Sequence, residues 1–540
     1  MKKVELLDCT LRDGGRIIDC KFKDRVIDGI SDDLTNAGID IVELGFLRDK
    51  NKIKYEVDST FFTDLRQMDR FVKDDDICLY CAFIDYGMYD FDDLCDKSET
   101  KISAIRVGFT KKDYNNDFDS VRKALELVKT KGYKLFVQGV NTPGYTDAEL
   151  LNIIDTVNQI KPYAFGIVDT YGSLYLEDLT YIYNLVERNL DNSIRIDIHS
   201  HNNFQSSFAF AQEVLRVSSS DRIIVLDATL NGMGKCAGNL NTELIVDYLN
   251  RKKGKSYDLD IVLDCIDTYL LPLKKDLMWG YSVPAFMAGI YRAHPNNIIY
   301  LTEKYRLSSK DIRHILSKID DNTRQRYDYD NIQRIYHEYS SDDIDDSEAI
   351  KLVQSVINDR KVLIVAPGKS ITEYENQLIC IANEKDVVAI SVNYVPDKIN
   401  TDYLFCANAL HWNRLKKTVS PDKCIVTSNV KEEIQKTIYI NYESYLGDGD
   451  YLADNSVIML LNFLYKCGAK EIMLAGFDGI QSNTENYATE DFINSSHGLS
   501  AEKNNEYIRI MYLKLLKKVK DKMKIAMITP SLFEPNVKDE

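Results

Sequence analysis

The chain has 540 residues, 44% hydrophobic and 28% charged, with a formal net charge of −16. That length exceeds a single hydrophobic core and predicts at least two domains, and the acidic balance argues against nucleic acid or an anionic membrane as partner. No apolar run is long enough to span a bilayer, the Met1-Lys2-Lys3 start opens no signal-peptide core, and eleven cysteines without framework spacing suit a reducing cytoplasm.

In chain order, apolar segments recur at Val4–Asp8, Ile39–Phe46, Ile77–Phe83, Ala104–Phe109, Leu135–Asn141, Phe165–Thr170, Ile194–His201 and Ile223–Leu230. Stretches with helical patterning separate them, such as Asp119–Thr130 and Asp147–Ile160. Eight strand–helix units within about 250 residues predict a TIM (β/α)8 barrel, whose chemistry belongs at the carboxyl ends of its strands. Cys78 and Cys81, a C-x-x-C inside a strand-like run, read as core, because positions i and i+3 of a strand face opposite ways.

Polar residues gather at those carboxyl ends. The first run enters Arg12-Asp13-Gly14-Gly15-Arg16, and the second carries Glu43. His199 and His201 share one face of a strand, where two imidazoles can grip a cation; the bland alternative is a surface histidine pair. The last run leads into Gly232-Met-Gly234-Lys-Cys236-Ala-Gly238-Asn239, a loop able to bring backbone close to a ligand.

Beyond the barrel, residues 281–338 read as a helical extension packed on it, and 339–350, acidic and serine-rich, as a linker. Residues 351–540 resume the alternation, with strand-like runs starting at Lys361, at Val387–Val392, Tyr403–Cys406, Cys424–Thr427, Glu471–Ala475 and Lys524–Thr529, and a helix-like stretch at Ser456–Tyr465. This predicts an α/β, Rossmann-like open sheet. Its Gly368-Lys369-Ser370 fails as a P-loop, because Leu363 stands where the first glycine belongs.

On these motifs, residues 1–280 resemble the DRE-TIM metallolyases, the HMGL-like family that includes 4-hydroxy-2-oxovalerate aldolase, 3-hydroxy-3-methylglutaryl-CoA lyase, isopropylmalate synthase and homocitrate synthase. The resemblance implies a divalent cation, Mn favoured and Mg, Co or Zn also suited, held by Asp13, His199, His201 and Asn239. It implies that Arg12 contacts a developing enolate oxygen and that Glu43 orients Arg12 or the substrate. The expected function is a metal-dependent aldolase cleaving a 4-hydroxy-2-keto acid through a pyruvate-like enolate. The alternatives are an acyl-CoA-dependent Claisen condensing enzyme, or a barrel that only scaffolds the second domain.

The pyruvate aldolases carry R-D-G-x-H, whereas Arg16 stands at the histidine's place here. An arginine is no ordinary base near neutral pH, so the base candidates are Tyr171, Tyr86 and His294, and Arg16 could instead bind a second carboxylate or phosphate. Cys236 fits the lyase spacing G-x-G-x-C but reads as a small buried cysteine. Residues 351–540 weakly resemble bacterial sialyltransferases and pterin-pyrophosphokinase-like domains. That resemblance makes Gly368, Ser370, Asn393 and Asp478 candidate nucleotide or nucleotide-sugar contacts, with Ser496-His497 as a catalytic remnant. The fusion suggests a bacterial role in surface-polysaccharide precursors, in a cytoplasmic homodimer.

Overall fold

In a computed structural model the described residues are 4–73, 78–219, 221–274, 279–304, 307, 309–325, 328–340, 344–430, 432, 434–449, 453–481, 486–488 and 500–534. Ser496 and His497 lie outside them. Contacts divide the chain into two units, Met1–Pro295 and Asn296–Glu540.

The first unit is a closed parallel barrel. Strands β1 (Val4–Asp8) and β2 (Ile41–Leu47) pair with each other; the short β3 (Phe61–Phe62) adds to the outside of β2. From β2 the pairing runs through β4 (Leu79–Asp85), β5 (Ala104–Phe109), β6 (Lys134–Gly139), β7 (Ala164–Asp169), β8 (Arg195–Ser200) and β9 (Ile224–Ala228), which returns to β1. The eight barrel strands fall within two residues of the apolar runs, because a strand covered on both faces reads as a near-continuous hydrophobic stretch. Phe61–Phe62 is too short to show any period, which is why it was not expected.

Two layers bury these strands. Outward-facing Leu6, Val42, Ile105, Val137 and Ile196 pack against helices such as Asp24–Asn36 and Asp147–Ile160. Inside the barrel, the amino-terminal half is apolar, with Leu7, Ile41, Cys81, Phe136 and Val225 in one cluster. Higher up the interior turns polar at Arg106, Gln138, Asp197 and Asp227, all buried. The helix Lys111–Thr130 starts eight residues before the stretch its periodicity marked, capped by Thr110, whose side chain accepts from the Asp113 N–H.

The second unit holds a seven-stranded parallel sheet in the order β14-β13-β12-β11-β10-β15-β16. Its strands are β10 (Lys361–Val365), β11 (Val387–Val392), β12 (Tyr403–Cys406), β13 (Cys424–Thr427), β14 (Ile438–Ile440), β15 (Glu471–Ala475) and β16 (Lys524–Met527). Successive strands run outward from β10 in one direction and then restart beyond it at β15, so the order reverses between β10 and β15. Open sheets of this kind gather ligands at such a point. Helices between Asn296 and Ser340 fall in this unit by their contacts: Tyr339 Oη donates to Asp311 at 2.7 Å, and Tyr336 Oη lies 3.1 Å from Tyr442 Oη. No helix among the described residues is long and apolar enough to cross a membrane.

Candidate metal centre

Asp13, His199 and His201 come from opposite ends of the barrel sequence and meet at the carboxyl ends of β1 and β8. Asp13 follows β1 in a tight turn whose amide donates to the Cys9 carbonyl at 2.8 Å. His199 lies near the end of β8; His201, one residue beyond it, forms an isolated bridge with Asn239 of the glycine loop. That loop closes on itself, with the Asn239 amide donating to the Gly232 carbonyl at 3.2 Å. A Cβ at Gly238 would stand 1.8 Å from that carbonyl oxygen, so only glycine permits the turn that delivers Asn239.

The two carboxylate oxygens of Asp13 have different neighbours. Oδ2 lies 3.2 Å from His201 Nε2, 3.9 Å from His199 Nε2 and 3.0 Å from Asn239 Nδ2. Oδ1 accepts from Arg12 Nη1 at 2.6 Å and lies 3.4 Å from Arg16 Nε. Burial pushes the Asp13 carboxyl up, but Arg12 and the two histidines hold it well below the usual carboxylate range.

Each imidazole is anchored through its other nitrogen. His199 Nδ1 lies 2.8 Å from Asp227 Oδ2, and His201 Nδ1 lies 3.1 Å from the Asp169 carbonyl. A carbonyl can only accept, so His201 carries its proton on Nδ1 when neutral and turns a lone pair toward Asp13; Asp227 fixes His199 the same way. Two lone pairs and a carboxylate oxygen aimed at one point repel unless a cation lies among them. Where none does, a proton takes its place: burial would lower His201, yet its bond to Asp13 raises it above the ordinary imidazole value. His199, buried beside Arg12 as well as Asp13, is pushed down to about 3 and stays neutral. Asn239 Oδ1 is buried without a donor, and rotation of its amide exchanges that oxygen with the nitrogen facing Asp13. The donor set therefore fits a divalent cation with mixed nitrogen and oxygen ligands.

A second grouping, Cys9, His199 and Asp227, shares one histidine with the first. It suits a cation less well, because burial raises the Cys9 thiol well above its ordinary value and Asp227 already accepts from Arg106.

Below the mouth lies a buried charge network that sequence reasoning missed. Arg106 Nη1 lies 3.3 Å from Glu43 Oε2, and its Nη2 donates to Asp197 at 2.9 Å and to Asp227. Glu43 Oε2 also accepts from Arg12 Nε at 2.6 Å, so Glu43 holds Arg12 in place and Asp227 holds His199. Burial and the neighbouring Asp227 push Asp197 up to about 7. A signal was present: Arg106, Asp197 and Asp227 each interrupt an apolar run, and Asp197 stands two residues before His199, hence on the same face.

The base candidates separate. Tyr171 is buried in the loop after β7, its carbonyl accepting from Asn203 Nδ2 at 2.8 Å. Tyr86 packs on Phe91 and takes its charge influence from Asp117 and Asp113, on the helix outside the barrel. His294 lies close enough to Lys235 and Arg16 for both to act on it; burial and those two cations push it down to about 4, which leaves a neutral imidazole at the mouth. Burial pushes the Cys236 thiol up to about 12, which keeps it protonated.

In the second unit, Gly368, Asn393 and Asp478 line one concavity at the sheet's reversal point, together with Ser456 and Gly476. The Asp478 carboxylate accepts from the Ser370 amide at 2.7 Å and the Ser370 hydroxyl at 2.6 Å. The chain's own carboxylate thus takes up the Ser370 amide and hydroxyl at this turn. Asn393 Nδ2 donates to Ser456 Oγ at 2.8 Å, and its Oδ1 accepts from the Ala407 amide at 3.2 Å.

A closed parallel barrel with carboxylate, imidazole and amide groups converging at its carboxyl mouth defines a (β/α)8 barrel with a candidate metal centre. Residues 3–269 match the model of the HMGL-like family, and the barrel belongs to that family of lyases and synthases. Among curated relatives, the 2-isopropylmalate synthase of Buchnera aphidicola subsp. Schizaphis graminum is 26% identical over 316 residues, which cover 54% of this chain and 58% of that protein. The homocitrate synthase of Pyrococcus horikoshii is 27% identical over 143 residues, covering 26% of this chain and 38% of that one. The chain spans about half the length of the curated relatives it matches. Among solved structures, the HMG-CoA lyase from Brucella melitensis aligns with a TM-score of 0.41 at 14% identity, over 51% of this chain and 100% of that chain.

Proposed function

We propose that the barrel makes or breaks a carbon–carbon bond beside the carbonyl of an α-keto acid, using one divalent cation at Asp13, His199, His201 and Asn239. The observation that carries this reading is the convergence of two anchored imidazoles on one oxygen of Asp13, with Arg12 on the other. When bound, the cation supplies Lewis-acid polarisation of the keto acid. Arg12 is the chain's own electrophile. Glu43 and Asp13 hold two of its guanidinium nitrogens, and the third, Nη2, makes no hydrogen bond among the described residues, free to meet negative charge developing on an enolate oxygen. Stacking of its guanidinium 4.4 Å from the centre of the Phe83 ring limits its movement.

Two reactions use an enolate at such a centre: aldol cleavage forms it from the keto acid, condensation from the acyl-CoA. The sequence led to aldol cleavage of a 4-hydroxy-2-keto acid. The synthase names of the curated relatives favour the alternative, condensation of an acyl-CoA with a keto acid, and arginine in place of the aldolases' histidine leaves cleavage without that base. His294, neutral at working pH, is the candidate whose free imidazole form can accept a proton. The test is exchange of methyl protons in D2O by the Mn-loaded protein, those of pyruvate for cleavage or those of acetyl-CoA beside a keto acid for condensation, and its loss on chelation. Thiol release from acetyl-CoA with a keto acid then distinguishes condensation from pyruvate release by cleavage. Exchange that persists at full rate in chelator-treated protein would refute the proposal.

A further inference from the structure

Basic groups crowd one side of the mouth beyond anything a single keto acid needs. Arg16 and Arg48 both stack on the ring of Phe46, with guanidinium carbons 4.5 and 4.3 Å from its centre. Arg48 Nη2 donates to Asp85 at 2.7 Å, but its Nη1 is buried with no partner. Arg16 makes no hydrogen bond among the described residues. Its nearest carboxylates, Asp13 and Asp85, lie 3.4 and 3.6 Å away, and each already holds another arginine at 2.6 or 2.7 Å. Its side chain is 40% exposed, so it faces the opening.

Lys235 of the glycine loop lies close enough for the charge of Arg16 to act on it. Burial and the charge of Arg16 lower its proton affinity, and both cations act on His294. Like charges held this close, partly out of water, relax when an anion enters among them. The carboxylate of a simple keto acid belongs at the cation, on the Oδ2 side of Asp13. Arg16 lies on the Oδ1 side, toward Phe46 of β2 and Asp85 of β4.

We infer that Arg16, with Arg48 and Lys235 beside it, is a specificity-determining site for a second acidic group at the far end of the keto acid, a carboxylate or a phosphoryl group. A planar fork with no hydrogen bond of its own suits either. This rests on the cation reading of the preceding section, which fixes the keto-acid end.

The probes are three five-atom-chain keto acids differing only at the tail: 2-oxopentanoate, 2-oxoglutarate and 2-oxo-4-phosphonobutyrate. Their binding to the full-length, Mn-loaded protein is measured by calorimetry. The expected result is at least tenfold tighter binding of an acidic tail than of the neutral one, with the larger of the two gains naming the tail group. Arg16→Gln should reduce that ratio to within about twofold, and Arg16→Lys should restore part of it, since charge without the fork keeps attraction and loses bidentate geometry. A ratio near one in the unmutated protein, or an unchanged ratio in Arg16→Gln, overturns the inference. So does a loss in Arg16→Gln that falls on acetyl-CoA binding while tail discrimination stands. Mn binding followed by paramagnetic resonance in parallel separates the two claims: its absence from the unmutated protein sinks the cation reading, whereas Mn binding without tail discrimination sinks only this one.

Discussion

Arg106 offers the sharpest test of how this barrel holds its site. Its guanidinium is fully buried and stands among Glu43, Asp197 and Asp227. Replacement by methionine keeps the volume and removes the charge, leaving three carboxyls facing one another in a medium of low polarity. Breaking a buried pair this way costs about 3–5 kcal/mol. At about 2 cal/mol/K of unfolding entropy per residue, a unit of roughly 290 residues loses about 0.6 kcal/mol per degree, so the melting temperature of the barrel should fall by about 5–8 °C. The loss should depend on pH. Asp197 is pushed up to about 7, above its unfolded value, so its contribution to stability is present at low pH and is lost as pH rises through 7. Without Arg106 this carboxyl holds its proton to still higher pH, so the deficit against the unmutated protein should widen between pH 6 and 8. Differential scanning calorimetry across that range is the assay. A shift below 2 °C, or a deficit that narrows with rising pH, would show that Arg106 does not neutralise this cluster.

Three further outcomes follow from the same structure. Because the raised His201 holds a proton that a cation must displace, Mn affinity should fall as pH drops from 8 to 6; paramagnetic resonance of free Mn reads this, and a flat profile counts against the ligand set. Burial raises Asp8 from 3.8 to about 6, so the folded chain takes its proton first and about 3 kcal/mol of stability is lost as pH rises from 4 to 6; Asp8→Asn should flatten that slope in urea titrations, and an unaltered slope refutes it. Cys236, protonated and half-buried, should label slowly with iodoacetamide at pH 8, and Cys236→Ala should keep turnover within about twofold; a greater than hundredfold loss of turnover would make the thiol a participant.

The strands and their order were legible along the chain, because each barrel strand is buried on both faces and must be apolar almost throughout. The residues that now sit around Asp13 were legible too, because a strand followed by charge and glycine marks the carboxyl mouth, and His199 and His201 repeat at the strand period. What periodicity could not reveal is which groups meet across the barrel. Arg106 on β5 and Asp227 on β9 are 121 residues apart and touch only because the sheet closes. Nor could linear order bring Arg16 and Arg48 to the same Phe46 ring, or Asp478 to the Ser370 turn. Local patterning of hydrophobic and polar residues determines the elements, since each must hide one face or both from water. The charges that tune the site are set by distances between elements, and those exist only once the barrel has closed.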